Sequence, residues 1–236
     1  FSKATYSLPT SNKISHDSTS GIRFIEQLKQ ISQDYPEFSD KISNLEVLET
    51  SIDFIFLKDT RIINVNGHQG NQCHLAVRGS SFVVFQSTFM RDLVNDIQIF
   101  LGQSPHRVQT LNNYYQQVSS NHPECLSWTG TGHSLGARQV SELSSQYPHM
   151  KIDSFEPGKV LWDLSRIGPN SLFSNNLFIN QLFIPLFNDI GQSTNLREHR
   201  LSCDIISKGW SSAETVFHYP NDTMNPLKCH SLNNFL

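Results

Sequence analysis

Residues 132–136 read Gly132-His133-Ser134-Leu135-Gly136, and this Gly-x-Ser-x-Gly run constrains the chain more than any other feature. The pattern is short enough to arise by chance, so its flanks decide its meaning. Leu126-Ser127-Trp128-Thr129 before it reads as a strand, and Val140, Leu143 and Tyr147 after it give the buried stripe of a helix that stops at Pro148. A strand that turns tightly into a helix puts Ser134 in a strained conformation. Glycine on either side removes the Cβ atoms that would meet the neighbouring strand and helix. The Ser134 hydroxyl is then expected to project into solvent. Leu135 opens the helix with a free backbone N–H and the positive end of the dipole, both suited to a developing oxyanion. The bland alternative is a plain Gly/Ser turn.

No repeat, low-complexity tract or Pro/Gly linker divides the 236 residues, which suits a single domain over 1–236. Phe24, Leu28, Ile31 and Tyr35 recur at helical spacing up to Pro36. Ile52–Leu57 and Arg61–Val65 read as strands, followed by an Asn66-Gly67 turn and a further strand through Ala76 and Val77. Leu93, Ile97 and Leu101, and then Val108, Leu111, Tyr115 and Val118, predict two helices. Strands are expected again at Lys151–Phe155 and Gln181–Phe187. After its antiparallel start this alternation predicts an α/β fold, with a doubly wound, mostly parallel central sheet flanked by helices. Ligand sites in such sheets lie at the carboxyl ends of strands.

A formal charge of -3 and the lack of any Lys/Arg run argue against a nucleic-acid partner. No apolar run approaches the roughly 20 residues of a transmembrane helix. The sequence starts at Phe1, as a processed secretory product or a trimmed chain would. Cys73, Cys125, Cys203 and Cys229 are even in number and show no Cys-x-x-Cys spacing, which favours two disulfides and a secreted, extracellular chain. Histidines near several of them (His74, His122, His199, His230) leave zinc as the minor reading, and four buried thiols as a third. Asn221-Asp222-Thr223 is a glycosylation acceptor of the kind that also arises by chance.

An oxyanion needs a second donor. Arg78-Gly79-Ser80, closing the strand Leu75-Ala76-Val77, offers the Ser80 backbone N–H from a neighbouring strand end. It is otherwise an ordinary strand-ending turn. With Leu75–Ser80, the stretch Arg91-Asp92-Leu93-Val94-Asn95-Asp96, Thr131–Ala137, Asp153–Gly158 and Asn188-Asp189-Ile190, the chain resembles the class 3 (fungal-type) lipase family of the α/β-hydrolases. The resemblance covers roughly residues 70 to 195 and is most specific at Ser134. Glu156-Pro157-Gly158 departs from the family's usual Phe-Gly-x-Pro turn, as a distant branch with another substrate would.

The resemblance implies a Ser-Asp-His triad in that chain order. Asp189 is the first choice of acid, because it follows the apolar run 182–187 and matches the family's Asp-Ile-Val-like element; Asp153, Asp163 and Asp204 have weaker contexts. His230, near the C-terminus where the family places its base, is preferred to His218, which would suit a loop. His199 sits in a charged stretch that reads as a solvated face. A Cys203–Cys229 bridge would pin the loop that carries His230. His133 resembles the family's usual residue in the turn, with a packing role. The apolar stretch Phe82–Leu101 is expected either as a lid or acyl-facing segment, or as a buried strand and helix. Together these imply hydrolysis of a carboxylic ester through an acyl-enzyme, with no metal or cofactor. The substrate is a lipid, as for a triacylglycerol lipase or phospholipase A1, met at a membrane or oil-water interface. Aromatic cell-wall esters, and a catalytically silent hydrolase fold that only binds, stand as alternatives.

Overall fold

Phe24 and Leu28 stand one turn apart on helix α1 (Ser18–Asp34), and both are buried, as their spacing requires. The structure is a computed structural model that describes Thr5 and residues 18–79, 106–157, 193–202 and 213–220. Pro36 opens a short 3-10 turn after α1, and α2 (Ser39–Ser43) leads into the sheet. Three strands then form an antiparallel meander: β1 (Leu45–Thr50), β2 (Phe54–Val65) and β3 (His68–Val77). Where the sequence suggests two strands at 52–65 there is one, interrupted by a register shift between Asp59 and Ile62. Arg61 pins that irregularity, donating from its backbone N–H and its Nε to Oδ1 of Asp59 at 3.0 and 2.9 Å. Hydrogen bonds from Arg61 hold the Asp59 carboxyl below its ordinary range against the opposing effect of burial. The expected Asn66–Gly67 turn is a two-residue hairpin with positive φ at both residues, 53° and 85°, and it pairs Val65 with His68.

From β3 onward the sheet is parallel. β4 (Cys125–His133), β5 (Met150–Phe155), β6 (Ser193–Leu201) and β7 (Ala213–Tyr219) add in chain order to give seven strands among the described residues. Helices α3 (His106–Asn121) and α4 (Leu135–Gln146) precede and follow β4. Successive residues of β2 explain how both faces are covered. Phe54 and Phe56 enter a core with Leu75, Val77, Trp128, Ile152 and Leu196 under α3 and α4, while Ile55 and Leu57 turn to the opposite face against Phe24 and Leu28 of α1. A strand buried on both sides reads as an unbroken apolar run, as Phe54–Leu57 does. This is the α/β class expected from the sequence, with a mostly parallel sheet and helices on both faces. β1, β6 and β7 are strands that the sequence reading does not anticipate. Among the described residues no helix is long and apolar enough to cross a membrane.

Cys73 of β3 and Cys125 at the start of β4 form a disulfide across the first parallel pair. Both are buried, and the bridge removes them from any zinc set. Among the described residues no group of three or more His, Cys, Asp or Glu is arranged to hold a metal. The bridge closes a loop with a sequence separation of 52, which on chain entropy stabilises the fold by about 4 kcal/mol. Replacing both cysteines by alanine is therefore expected to lower the melting temperature by roughly 10 °C. An unchanged melting temperature would show that the link does not constrain the unfolded chain.

His74, next to the bridge, lies largely buried with Nδ1 2.6 Å from the Thr129 hydroxyl. Burial pushes its imidazole down from the ordinary 6.5 to about 4. Between these values the unfolded chain takes up a proton that the native chain refuses. Stability is thus complete above about pH 6.5 and falls as the pH drops toward 4, by about 2–3 kcal/mol at pH 4.5. Denaturant unfolding at pH 7.5 and 4.5 should show this difference shrinking in His74→Asn. An identical pH response in the variant would exclude His74 as its source.

Candidate active site

Ser134 stands between β4 and α4 with φ 55° and ψ −121°, a backbone conformation that an L-residue holds only when its surroundings impose it. Three backbone constraints do so. The Ser134 N–H donates to the Phe155 carbonyl at the end of β5 (3.0 Å), and its own carbonyl accepts from the Arg138 N–H one turn into α4 (3.1 Å). The turn is also too tight for side chains on either flank. A Cβ on Gly132 would come within 2.4 Å of the Gly136 backbone, and one on Gly136 within 2.5 Å of the Val77 carbonyl oxygen. Both glycines are thus required by close approach, and the second lets the head of α4 pack directly against the end of β3. The Leu135 N–H lies in the first turn of α4 and so has no acceptor inside the helix.

The end of β3 is itself braced. Asp53 accepts the Arg78 N–H on its backbone carbonyl (2.7 Å), and its carboxylate lies 3.0 Å from Nη2 of Arg107 at the start of α3. The same Arg107 nitrogen donates to the Arg78 carbonyl at 3.0 Å. The Arg78 guanidinium, almost wholly buried, lies 3.6 Å from the Asp53 carboxylate. Two arginines and a carboxylate therefore fix the backbone beside the serine turn. Neither Asp53 nor Arg107 is apparent from the motif.

Ser134 itself is only 6% exposed. The elbow alone suggests a hydroxyl projecting into solvent, whereas the residue is buried. His133 is buried as its packing role predicts, and it has an acidic residue beside it that the sequence reading misses: Nε2 lies 3.4 Å from the Glu156 carboxyl. The signal for Glu156 was the unusual Glu156-Pro157-Gly158 turn.

His199 and His218 are strand residues, on β6 and β7. His199 is half-buried on a face where Arg197, Phe217 and Tyr219 are exposed. Its Nε2 lies 3.0 Å from Oδ1 of Asp153, its Nδ1 2.9 Å from the Tyr219 hydroxyl, and its ring stacks between Phe155 and Phe217. Asp153 sits within β5 opposite Arg197. Burial raises the Asp153 carboxyl, but hydrogen bonds from His199 and Arg197 outweigh it and hold the group below its ordinary value. Asp153 and His199 thus belong to a hydrogen-bonded row on the sheet with Arg197 and Tyr219. His218 is exposed. Of the residues expected to carry chemistry, Ser134 and Leu135 lie within the described residues and adjoin each other. Ser80, Asp189 and His230 lie outside them, as do the 82–101 segment and Cys203 and Cys229.

A serine in a strained strand-to-helix turn, at the carboxyl edge of a mostly parallel sheet, has the geometry of the nucleophile elbow of α/β-hydrolases. The fold is α/β-hydrolase-like, a mostly parallel sheet with helices on both faces. No protein-family model matches the sequence, and no curated protein matches it. Among solved structures it is distantly similar to an esterase from Pyrobaculum calidifontis, at 11% identity and TM-score 0.35, over 83% of this chain and 83% of that one. Acetyl xylan esterase 1 from Thermoanaerobacterium sp. is similar at 13% identity and TM-score 0.30, over 86% of this chain and 90% of that one. A lipase from Rhizopus microsporus var. chinensis is similar at 12% identity and TM-score 0.31, over 85% of this chain and 73% of that one.

Proposed function

We propose that the chain is a serine hydrolase that cleaves carboxylic esters, those of lipids in particular, through an acyl-enzyme on Ser134. The observation that carries this reading is the Ser134 backbone, held at φ 55° and ψ −121° at the head of α4 between glycines that admit no side chain. Such a turn is costly in a folded chain and has a chemical use: it separates the hydroxyl from the helix and aims the N–H of the next residue at the same point.

In this mechanism His230 takes the Ser134 proton as the oxygen attacks the ester carbonyl. The Leu135 and Ser80 N–H groups hold the oxyanion, and His230 protonates the leaving alcohol. Water then attacks the acyl-enzyme by the same route in reverse and releases the acid. A carboxylate orients His230 and stabilises its charged form. The resemblance implies Asp189 for that role, and strand polarity favours Asp204. Asp189 precedes Ser193, the amino end of β6, by four residues, whereas Asp204 follows Ser202 at the carboxyl end, the end at which Ser134 lies.

The apolar stretch 82–101 supports an acyl chain as the group accepted, in triacylglycerols or phospholipids, and its action as a lid belongs to the same proposal. The Cys73–Cys125 bridge supports a secreted protein, since such links persist in oxidising compartments. A fluorophosphonate probe tests the central claim, because only an activated serine reacts with it. The wild-type protein is expected to take up one equivalent at Ser134 and to hydrolyse p-nitrophenyl butyrate. A folded protein that remains unlabelled would be a silent hydrolase fold used for binding.

A further inference from the structure

Glu156 combines three conditions that a glutamate ordinarily avoids. Its φ is +46°, a left-handed conformation natural to glycine; it precedes Pro157, which favours extended backbone in the residue before it; and its side chain is fully buried. Glycine would satisfy the backbone without burying a carboxylate. The side chain must therefore contribute something at this position, and what it lies against is the imidazole of His133, 3.4 Å away and adjacent in the chain to Ser134.

The same dipeptide also holds the elbow through its backbone. The Phe155 carbonyl accepts the Ser134 N–H at 3.0 Å, and the Glu156 N–H donates to the His199 carbonyl on β6 at 2.8 Å. β6 is rigid there, because the His199 ring is held between Asp153 and Tyr219 and stacked on Phe155 and Phe217. Phe155–Glu156 is thus a post fixed to β6 on one side, touching the elbow at two points on the other: a carbonyl on the Ser134 N–H and a carboxylate on the ring of His133.

We infer that Glu156 is a positioning residue for the Ser134 nucleophile, acting through His133. The inference rests on the proposed hydrolase reading. The Glu156 carboxyl packs against the His133 ring at 3.4 Å and limits its position, the ring fixes the peptide that enters Ser134, and the strained serine is held at the head of α4. Replacing the carboxyl by an amide keeps the shape but alters the contact that holds the ring, and a displacement of about 1 Å at a nucleophile costs up to about two orders of magnitude in rate. Substrate affinity should not change, since the wholly buried Glu156 has no surface to offer a substrate.

The test compares wild type, Glu156→Gln, His133→Gln and the double variant. Active sites are counted by fluorophosphonate titration, and kcat and KM for p-nitrophenyl butyrate are expressed per titrated serine. Each single variant is expected to lose about 10- to 100-fold in kcat with KM within about twofold, and the double variant to lose no more than the weaker single. A Glu156→Gln kcat within about twofold of wild type, or single losses that multiply in the double variant, would overturn the inference. If Glu156→Gln does not fold, Glu156→Gly replaces it, because glycine accepts the positive φ. A slow, folded Glu156→Gly supports the role, and wild-type kcat overturns it. A wild-type protein with no titratable serine overturns the hydrolase reading and this inference together, whereas a titratable wild type with an unimpaired Glu156 variant overturns this inference alone.

Discussion

Replacing Ser134 by alanine is expected to lower kcat/KM for p-nitrophenyl esters by on the order of 10⁵–10⁶ and to abolish fluorophosphonate labelling, with the melting temperature unchanged within about 2 °C. The two halves of this expectation have separate causes. Activity falls because no other group can form the acyl-enzyme; the residual rate reflects substrate binding and the oxyanion donors acting on water. The fold persists because the contacts that fix the turn are backbone contacts. The Ser134 N–H to Phe155 and the Arg138 N–H to Ser134 survive the substitution. Alanine retains the Cβ and hence the same strain at φ 55°. Circular dichroism and melting curves recorded alongside the rates separate these effects. Undiminished turnover in a folded Ser134→Ala protein would end the esterase account.

How far the sequence alone reaches depends on what fixes each element. The serine turn was legible because glycine spacing encodes a steric requirement, and Gly132 and Gly136 meet backbone at 2.4 and 2.5 Å as that requirement predicts. Helix α1 and the Asn66–Gly67 hairpin were legible for the same kind of reason, local periodicity and a turn that needs positive φ. β6 was not. Its inward residues Leu196, Glu198 and Arg200 alternate at the strand period, but two of the three are charged, so hydrophobic patterning reads a solvated stretch. Inside the protein the Arg200 guanidinium binds the Glu198 carboxylate, with Nε to Oε2 at 3.0 Å. Asn195 adds its amide to the carbonyls of Ser144, Tyr147 and Met150, tying β6 to the end of α4 and the start of β5. The partners of Asn195 are non-local and cannot be seen within the segment, while the Glu198–Arg200 pair, though local, reads in the sequence as surface charge. The Glu156–His133 contact was hidden likewise, since it joins two strand ends through a conformation that glutamate seldom adopts. At His199 a charged neighbourhood suggested solvent, and partners on β5 and β7 leave the ring half-buried on a face whose other residues are partly exposed.

The missing β6 bears directly on the acid of the triad, and the expected result is that Asp204→Asn costs about 10³–10⁴-fold in kcat while Asp189→Asn stays within a few-fold of wild type. Two independent arguments lead there. The first is reach. His133, Phe155 and His199 pair across β4, β5 and β6, so His199 marks the level of the serine turn, and Ser193 lies six residues, roughly 20 Å, below it. Asp189, four residues before Ser193, extends about 14 Å at most, so it nears that level only if 189–192 run fully extended back along the sheet. Asp204 needs only the two residues beyond Ser202. The second argument is cysteine pairing. With Cys73 bound to Cys125, the remaining cysteines are Cys203 and Cys229, which immediately precede Asp204 and His230. A bridge between them sets their Cα atoms roughly 5.5–6 Å apart, bringing the next residue on each side within range of a carboxylate–imidazole hydrogen bond. Peptide mapping under non-reducing conditions checks the bridge, and paired kcat measurements on the two asparagine variants check the acid. If Asp189→Asn proves the damaging change, the strand-end resemblance at Asn188-Asp189-Ile190 prevails over polarity. If neither variant loses activity, the histidine is oriented by some other group and the triad as proposed falls.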